Sequence, residues 1–129
     1  EGIEMATSVA SEMIDNLYGF NFAKVLFKPT LSGGSQTFRP TKEGALSYFV
    51  GHNPSYPNDS GFGIKFWREI SSETSAIFID DTVAMWMGWV VLIDRDGQVT
   101  KVDKSWGYKL DDVGNLRIVL HHSSLPYEL

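Results

Sequence analysis

The chain contains no cysteine. That removes disulfides, thiolate zinc sites, iron–sulfur clusters and cysteine nucleophiles together. Positive charge is not in excess either: 11 Lys and Arg stand against 16 Asp and Glu, a formal net charge of −5. Without a basic stripe to neutralise phosphates, nucleic acid is not an expected partner. No apolar run reaches the roughly 18 residues that a bilayer crossing needs, so no membrane span is expected. Histidine is confined to His52, His121 and His122. What is present is 129 residues, enough for one domain with a sizeable core. The first residue is Glu1 rather than Met. The expectation is a single domain over 1–129 taken from a longer precursor or repeat protein, with any targeting peptide out of view.

Hydrophobic spacing divides the chain into a helical first half and an extended second half. Ile3, Ala6, Val9, Ala10, Met13, Ile14, Leu17 and Tyr18 recur at helical steps, and Gly19 supplies a stop. Residues 24–27 read as a short extended piece closed by Pro29. A second helix is expected over 42–50, with Thr41 as N-cap and Gly51 at its end. Residues 53–63, with two prolines and two glycines, form a long loop. Strands are then expected over 64–79, 82–93, 99–110 and 116–125, separated by turns at Asp80-Asp81, Asp96-Gly97 and Gly114-Asn115. Strands joined this closely pair antiparallel as a meander, and helices followed by strands give an α+β domain.

The 82–93 strand is apolar on both faces. Val83, Met85, Met87, Trp89, Val91 and Ile93 alternate with Ala84, Trp86, Gly88, Val90 and Leu92. Two short helices can cover one face of such a sheet, and the other then needs a partner. A homodimer through the back of the sheet is expected, against the alternative that the sheet curls to hide its own inside.

Few residues announce chemistry. His121 and His122 are neighbours on a strand and face opposite ways, so they cannot share a metal without a bulge. Asp94-Arg95-Asp96-Gly97 begins like a calcium loop but lacks the later ligands, and reads as a hairpin turn. His121-His122-Ser123-Ser124 is a polar run ending an apolar strand. It reads either as a strand end entering solvent or as a pocket wall with His121 and Ser123 on one face. No nucleophile elbow surrounds either Ser. Asn58-Asp59-Ser60 fits the glycosylation triplet, a pattern common by chance. Tyr48 on a helix and Thr30 after a proline are unremarkable alone.

Taken together, several segments resemble the iota-class carbonic anhydrases. They are Leu26-Phe27-Lys28-Pro29-Thr30, Ala45-Leu46-Ser47-Tyr48-Phe49, Met85-Trp86-Met87-Gly88-Trp89, the run from Val102 to Tyr108, and His121-His122-Ser123-Ser124-Leu125-Pro126. The resemblance spans about Leu26 to Tyr127, and its last motif is the most specific. That class is similar to the association domain of calcium/calmodulin-dependent protein kinase II, within the nuclear-transport-factor-2-like group. The resemblance implies a cone: an N-terminal helix wrapped by a curved antiparallel sheet, paired as a homodimer. It implies interconversion of carbon dioxide and bicarbonate with no cofactor and no metal, in a pocket whose catalytic residues would be Thr30, Tyr48, Ser123 and His121. Leu120 stands where some members carry a third histidine, which favours the metal-free type; other members depend on manganese. A plastid or bacterial envelope location is also implied.

On that reading, Thr30, Tyr48 and Ser123 hold the attacking water and His121 accepts or relays its proton. Met85, Trp86, Met87 or Trp89 would supply apolar walls. Two rival readings remain. A different small-molecule enzyme on the same cone would need an interior carboxylate, for which Asp103 is the candidate, although alternation puts it outside with Lys101 and Ser105. A pure assembly module would have no use for the polar constellation.

Overall fold

The computed structural model describes residues 2–129. Helix α1 covers Ile3–Leu17, strand β1 Leu26–Lys28 and helix α2 Lys42–Val50. Four long strands follow: β2 Trp67–Asp80, β3 Val83–Asp94, β4 Val99–Leu110 and β5 Leu116–Ser124. The expected α+β order is therefore present; β4 has the expected limits, and the other strand ends move by no more than three residues. The largest shift is at the start of β2, because Phe62–Ile64 forms a 3-10 turn instead of opening the strand.

Local chemistry explains the ends. Thr41 caps α2 by accepting the Gly44 N–H at 3.1 Å. Gly51 closes α2 at φ 70°, a conformation that costs glycine little. Asp94 and Asp111 each fold a hairpin by accepting two backbone N–H groups on one carboxylate oxygen.

The sheet runs β1-β5-β4-β3-β2. The meander β2 to β5 is antiparallel throughout, as expected. β1 adds a short parallel edge strand on β5, with Phe27 opposite His121. The sequence signalled β1 as extended but not its partner. The core gathers where the helices meet this end of the sheet: Ile14, Tyr18, Val25, Phe27, Ala45 and Ile118 are buried together.

One irregularity sets the phase of β5. Gly107 faces Leu120 while Tyr108 faces Ile118, so Val119 is an extra residue. Without it, strict alternation would place Leu120 and His122 on the face of Ile118. With it, Ile118, His121 and Ser123 all point inward and are buried, while His122 is exposed.

Candidate active site

Three of the four expected residues come together. Thr30, in the turn after β1, and Ser123, near the end of β5, place their hydroxyls 2.6 Å apart. They are 6% and 0% exposed, so this bond is sheltered from water. Tyr48, on α2, accepts the Leu31 N–H on its phenolic oxygen at 3.0 Å. That leaves its own O–H free to donate. Burial raises the Tyr48 pKa, against the opposing pull of the Leu31 N–H and the neighbouring Thr30 side chain. The phenol is therefore a neutral donor across the physiological range.

The supports are mostly residues that sequence reasoning did not single out. Lys28 donates to the Ser123 carbonyl at 3.0 Å and to that of Thr30 at 3.5 Å, tying the two hydroxyl-bearing segments together. Arg39 and Asp59 form a buried bidentate pair at 2.8 Å, and Ser47 donates to the same carboxylate at 2.6 Å. This clamp fixes the 53–63 loop to the turn of α2 that carries Tyr48. Asp59 is held below the usual carboxylate range: desolvation pushes it up, and the hydrogen bonds from Arg39 and Ser47 outweigh that. Asn58-Asp59-Ser60 thus includes a structural carboxylate. Arg39 and Asp59 lie twenty residues apart, and nothing local in the sequence links them.

His121 lies on the same face as Ser123, as alternation required, but its ring nitrogens are engaged elsewhere. Nε2 is 2.8 Å from the Lys104 ammonium and Nδ1 is 2.8 Å from the Tyr18 phenol. An ammonium can only donate, so Nε2 accepts and the neutral ring carries its proton on Nδ1, towards Tyr18. The ring is stacked between Trp106 at 3.7 Å and Phe27 at 4.7 Å. Burial, then the charge of Lys104, then His122, hold its pKa well below 6.5. In the sequence Tyr18 belongs to an apolar helical stripe, and its hydroxyl role has no signal. Lys104 has one: it alternates with Val102 and Trp106 on the inward face.

The remaining candidates separate by face. Trp86 pairs with Trp106 on the inside, whereas Met87 and Trp89 lie opposite Ser105 and Asp103 on the outside. Asp103 accepts the Ser124 hydroxyl at 2.6 Å on that outer side. Among the described residues, no group of three His, Asp or Glu side chains gathers to hold a metal ion, and no helix is long and apolar enough to cross a membrane. Two apolar concavities are lined in part by aromatic neighbours of Tyr48 and His121. One, about 570 Å³, includes Phe49 and Phe62, whose rings pack on Tyr48. The other, about 370 Å³, includes Trp86, Tyr108 and the Trp106 that covers His121.

Two helices against a curved sheet, with the polar groups on the concave side, have the fold of nuclear-transport-factor-2-like proteins. A protein of that family from Streptomyces avermitilis superposes with a TM-score of 0.58 at 10% identity, covering 98% of this chain and 90% of that one. A protein assigned as a calcium/calmodulin-dependent protein kinase II association domain from Xanthomonas campestris gives 0.63 at 19% identity, covering 99% and 80%. Both likenesses concern the fold alone. The family model described as metal-independent carbonic anhydrase matches residues 1–125, and the chain belongs to that family. It is 48% identical over 128 residues to the metal-independent carbonic anhydrase of Nostoc sp., covering 99% of this chain and 62% of that protein. The chain thus spans less than two thirds of that relative. The crystal structure of a cyanobacterial iota-carbonic anhydrase complexed with bicarbonate superposes with a TM-score of 0.96 at 47% identity, covering 100% of this chain and 79% of that one.

Proposed function

We propose that this chain catalyses the reversible hydration of carbon dioxide to bicarbonate at Thr30, Tyr48 and Ser123, with His121 beside them. The observation that carries this reading is the buried 2.6 Å Thr30–Ser123 hydroxyl pair next to a neutral Tyr48 phenol, in a chain of this family. The bicarbonate held by the cyanobacterial relative supports the same substrate pair.

The energetics define how such a site works. A catalytic zinc brings bound water from a pKa of about 15.7 to about 7. At 1.36 kcal/mol per unit that is about 12 kcal/mol. Hydrogen bonds contribute on the order of 1 kcal/mol each, so three hydroxyls do not make standing hydroxide. Bond formation and proton loss therefore occur together. The water oxygen attacks the carbon, one C=O π pair moves onto its oxygen, and the water proton leaves through the hydroxyls, each passing one proton on as it receives another. The product oxygen that gains charge takes a hydrogen bond from Tyr48. His121 stores no proton, because its low pKa and engaged Nε2 oppose that. It relays: Lys104 passes a proton to Nε2 and regains one from the hydroxyls, Nδ1 gives its proton to Tyr18, and the phenolic proton that Tyr18 releases ends on solvent or buffer. Phe49, Phe62 and Trp86 give carbon dioxide an apolar approach.

The test is stopped-flow carbon dioxide hydration on chelator-treated protein verified by elemental analysis. Turnover without metal is expected, with Tyr48→Phe and Ser123→Ala each reduced about a hundredfold. A requirement for added metal, or full activity in both variants, overturns the assignment. Full activity in His121→Ala overturns only the relay. We also propose that two copies associate through the outer face of the sheet, where Phe78, Met85 and Met87 are exposed.

A further inference from the structure

Lys104 is a cation placed where the fold gives it no counter-charge. It projects inward from β4 between Val102, which is fully buried, and Trp106. In the ladder it stands directly opposite Ser123. Side chains so opposed start about 5 Å apart at Cβ. On its other side it faces Gly88, which offers no side chain. Its ammonium gives one N–H to His121 Nε2 at 2.8 Å and lies 5.2 Å from the centre of the Trp106 ring. Among the described residues it pairs with no carboxylate, and its remaining N–H groups have no protein acceptor.

A sheltered charge without a partner is costly to a fold. Desolvation lowers the Lys104 pKa to about 8, which still leaves it charged at neutral pH. The chain as a whole is negative by five charges, so an anion is repelled until a local cation intervenes. We propose that Lys104 is an anion-binding residue of the Thr30–Tyr48–Ser123 site, its ammonium turned to the negative charge of bicarbonate. This rests on the carbonic anhydrase reading and adds the residue that balances the product's charge. An ammonium has three donors, so the bond to His121 leaves two for a ligand. The bound anion completes the pairing that the protein leaves open.

His121 is the ionisable group bonded to Lys104, and Tyr18, at the C-terminal cap of α1, sits on the far nitrogen of that ring; His122 follows His121 on β5, Tyr108 lies further along the inward side of β4, and Asp103 points outward beside Lys104. The inward residues of β3 and β2 next to it in the ladder, Gly88 and Thr74, carry no ionisable group. A bound anion should therefore raise the Lys104 titration midpoint more than that of any other lysine.

The experiment is a 13C-bicarbonate titration followed by NMR, on the unaltered protein and on Lys104→Met with its fold checked by circular dichroism. The variant is expected to bind about tenfold more weakly or worse. The second measurement needs no variant fold: the Lys104 side-chain resonance is titrated with and without saturating bicarbonate, and its midpoint is expected to rise. Unchanged affinity in Lys104→Met, or an unmoved midpoint, overturns the proposal and leaves the carbonic anhydrase reading standing. If the unaltered protein neither binds bicarbonate nor turns over carbon dioxide, that reading fails and takes this one with it. A role confined to orienting His121 would leave the midpoint where it is.

Discussion

Ser123→Ala removes one hydroxyl from a buried pair and leaves the Thr30 hydroxyl facing a methyl group. An orphaned buried polar group costs about 1–3 kcal/mol, and Thr30→Val should cost a similar amount. Removing both partners leaves nothing unsatisfied, so the double variant is expected to be less destabilised than the sum of the two. Urea unfolding of all four proteins measures this; strict additivity would mean the hydroxyls do not interact. His121 gives a pH signature of its own. Its folded pKa lies below the unfolded value of 6.5, so below 6.5 the unfolded chain takes up a proton that the folded one refuses. The stability it contributes is present above pH 6.5 and is lost as pH falls through the folded pKa. Asp59 is likewise depressed, from 3.8, so its loss begins only at more acid pH. Unfolding midpoints should therefore drop between pH 7 and 5, and His121→Phe should flatten that drop without touching the one below pH 4. A flat profile over pH 7 to 5 in the unaltered protein would contradict the assigned environment of His121.

At the scale of elements, the sequence was legible where one chemical signal decides the local structure. Thr41 and Gly51 bracket α2, and Asp96-Gly97 and Gly114-Asn115 place two hairpins, because each acts through its own backbone. Alternation likewise put His121 with Ser123 and sent Asp103 outward. It could not say that the His121 face is the inner one relative to Ile118, because that depends on the extra Val119. Nor could it pair β1 with β5 or Arg39 with Asp59, which depend on tertiary closure. Thr30 and Tyr48 were bland as single residues, and only the family resemblance joined them to Ser123. The bulge offers a test at this scale. A Cβ on Gly107 would come within 2.8 Å of the Leu120 Cβ, so the strand must yield. Gly107→Ala should cost about 1–3 kcal/mol and displace the inward end of β5. Thermal unfolding and carbon dioxide hydration should fall together; a variant unchanged in both would show that the close approach does not hold the β5 phase.

The whole molecule is asymmetric in what it covers. The concave side of the sheet takes the helices and the proposed chemistry, while the convex side keeps an apolar surface. Phe78 lies opposite Met85, and Ala76 opposite Met87, across β2 and β3. Met85 and Met87 in turn face Gly107 and Ser105 on β4, which add little bulk. Phe78, Met85 and Met87 are 55%, 42% and 59% exposed. Beside them Trp89 is covered by the Lys101 ammonium at 4.3 Å, and Glu73 stands opposite Trp89, so charges rim an apolar centre. A contiguous patch of this kind is unusual on a monomer, and an apolar core with a charged rim is the ordinary build of an interface. A two-fold axis through the sheet would place the same patch on both copies, so one substitution acts twice. Met87→Lys puts two ammonium groups into the centre of that contact and should shift a dimer to monomer at micromolar concentration. Analytical ultracentrifugation of both proteins reads the mass directly. Because Met87 points away from Thr30, Tyr48 and Ser123, the monomer should keep their hydroxyl geometry, and carbon dioxide hydration per chain should change far less than in Ser123→Ala. A monomeric unaltered protein at the same concentration would remove the convex face from the account of assembly, and a monomer without activity would tie the concave site to the partner.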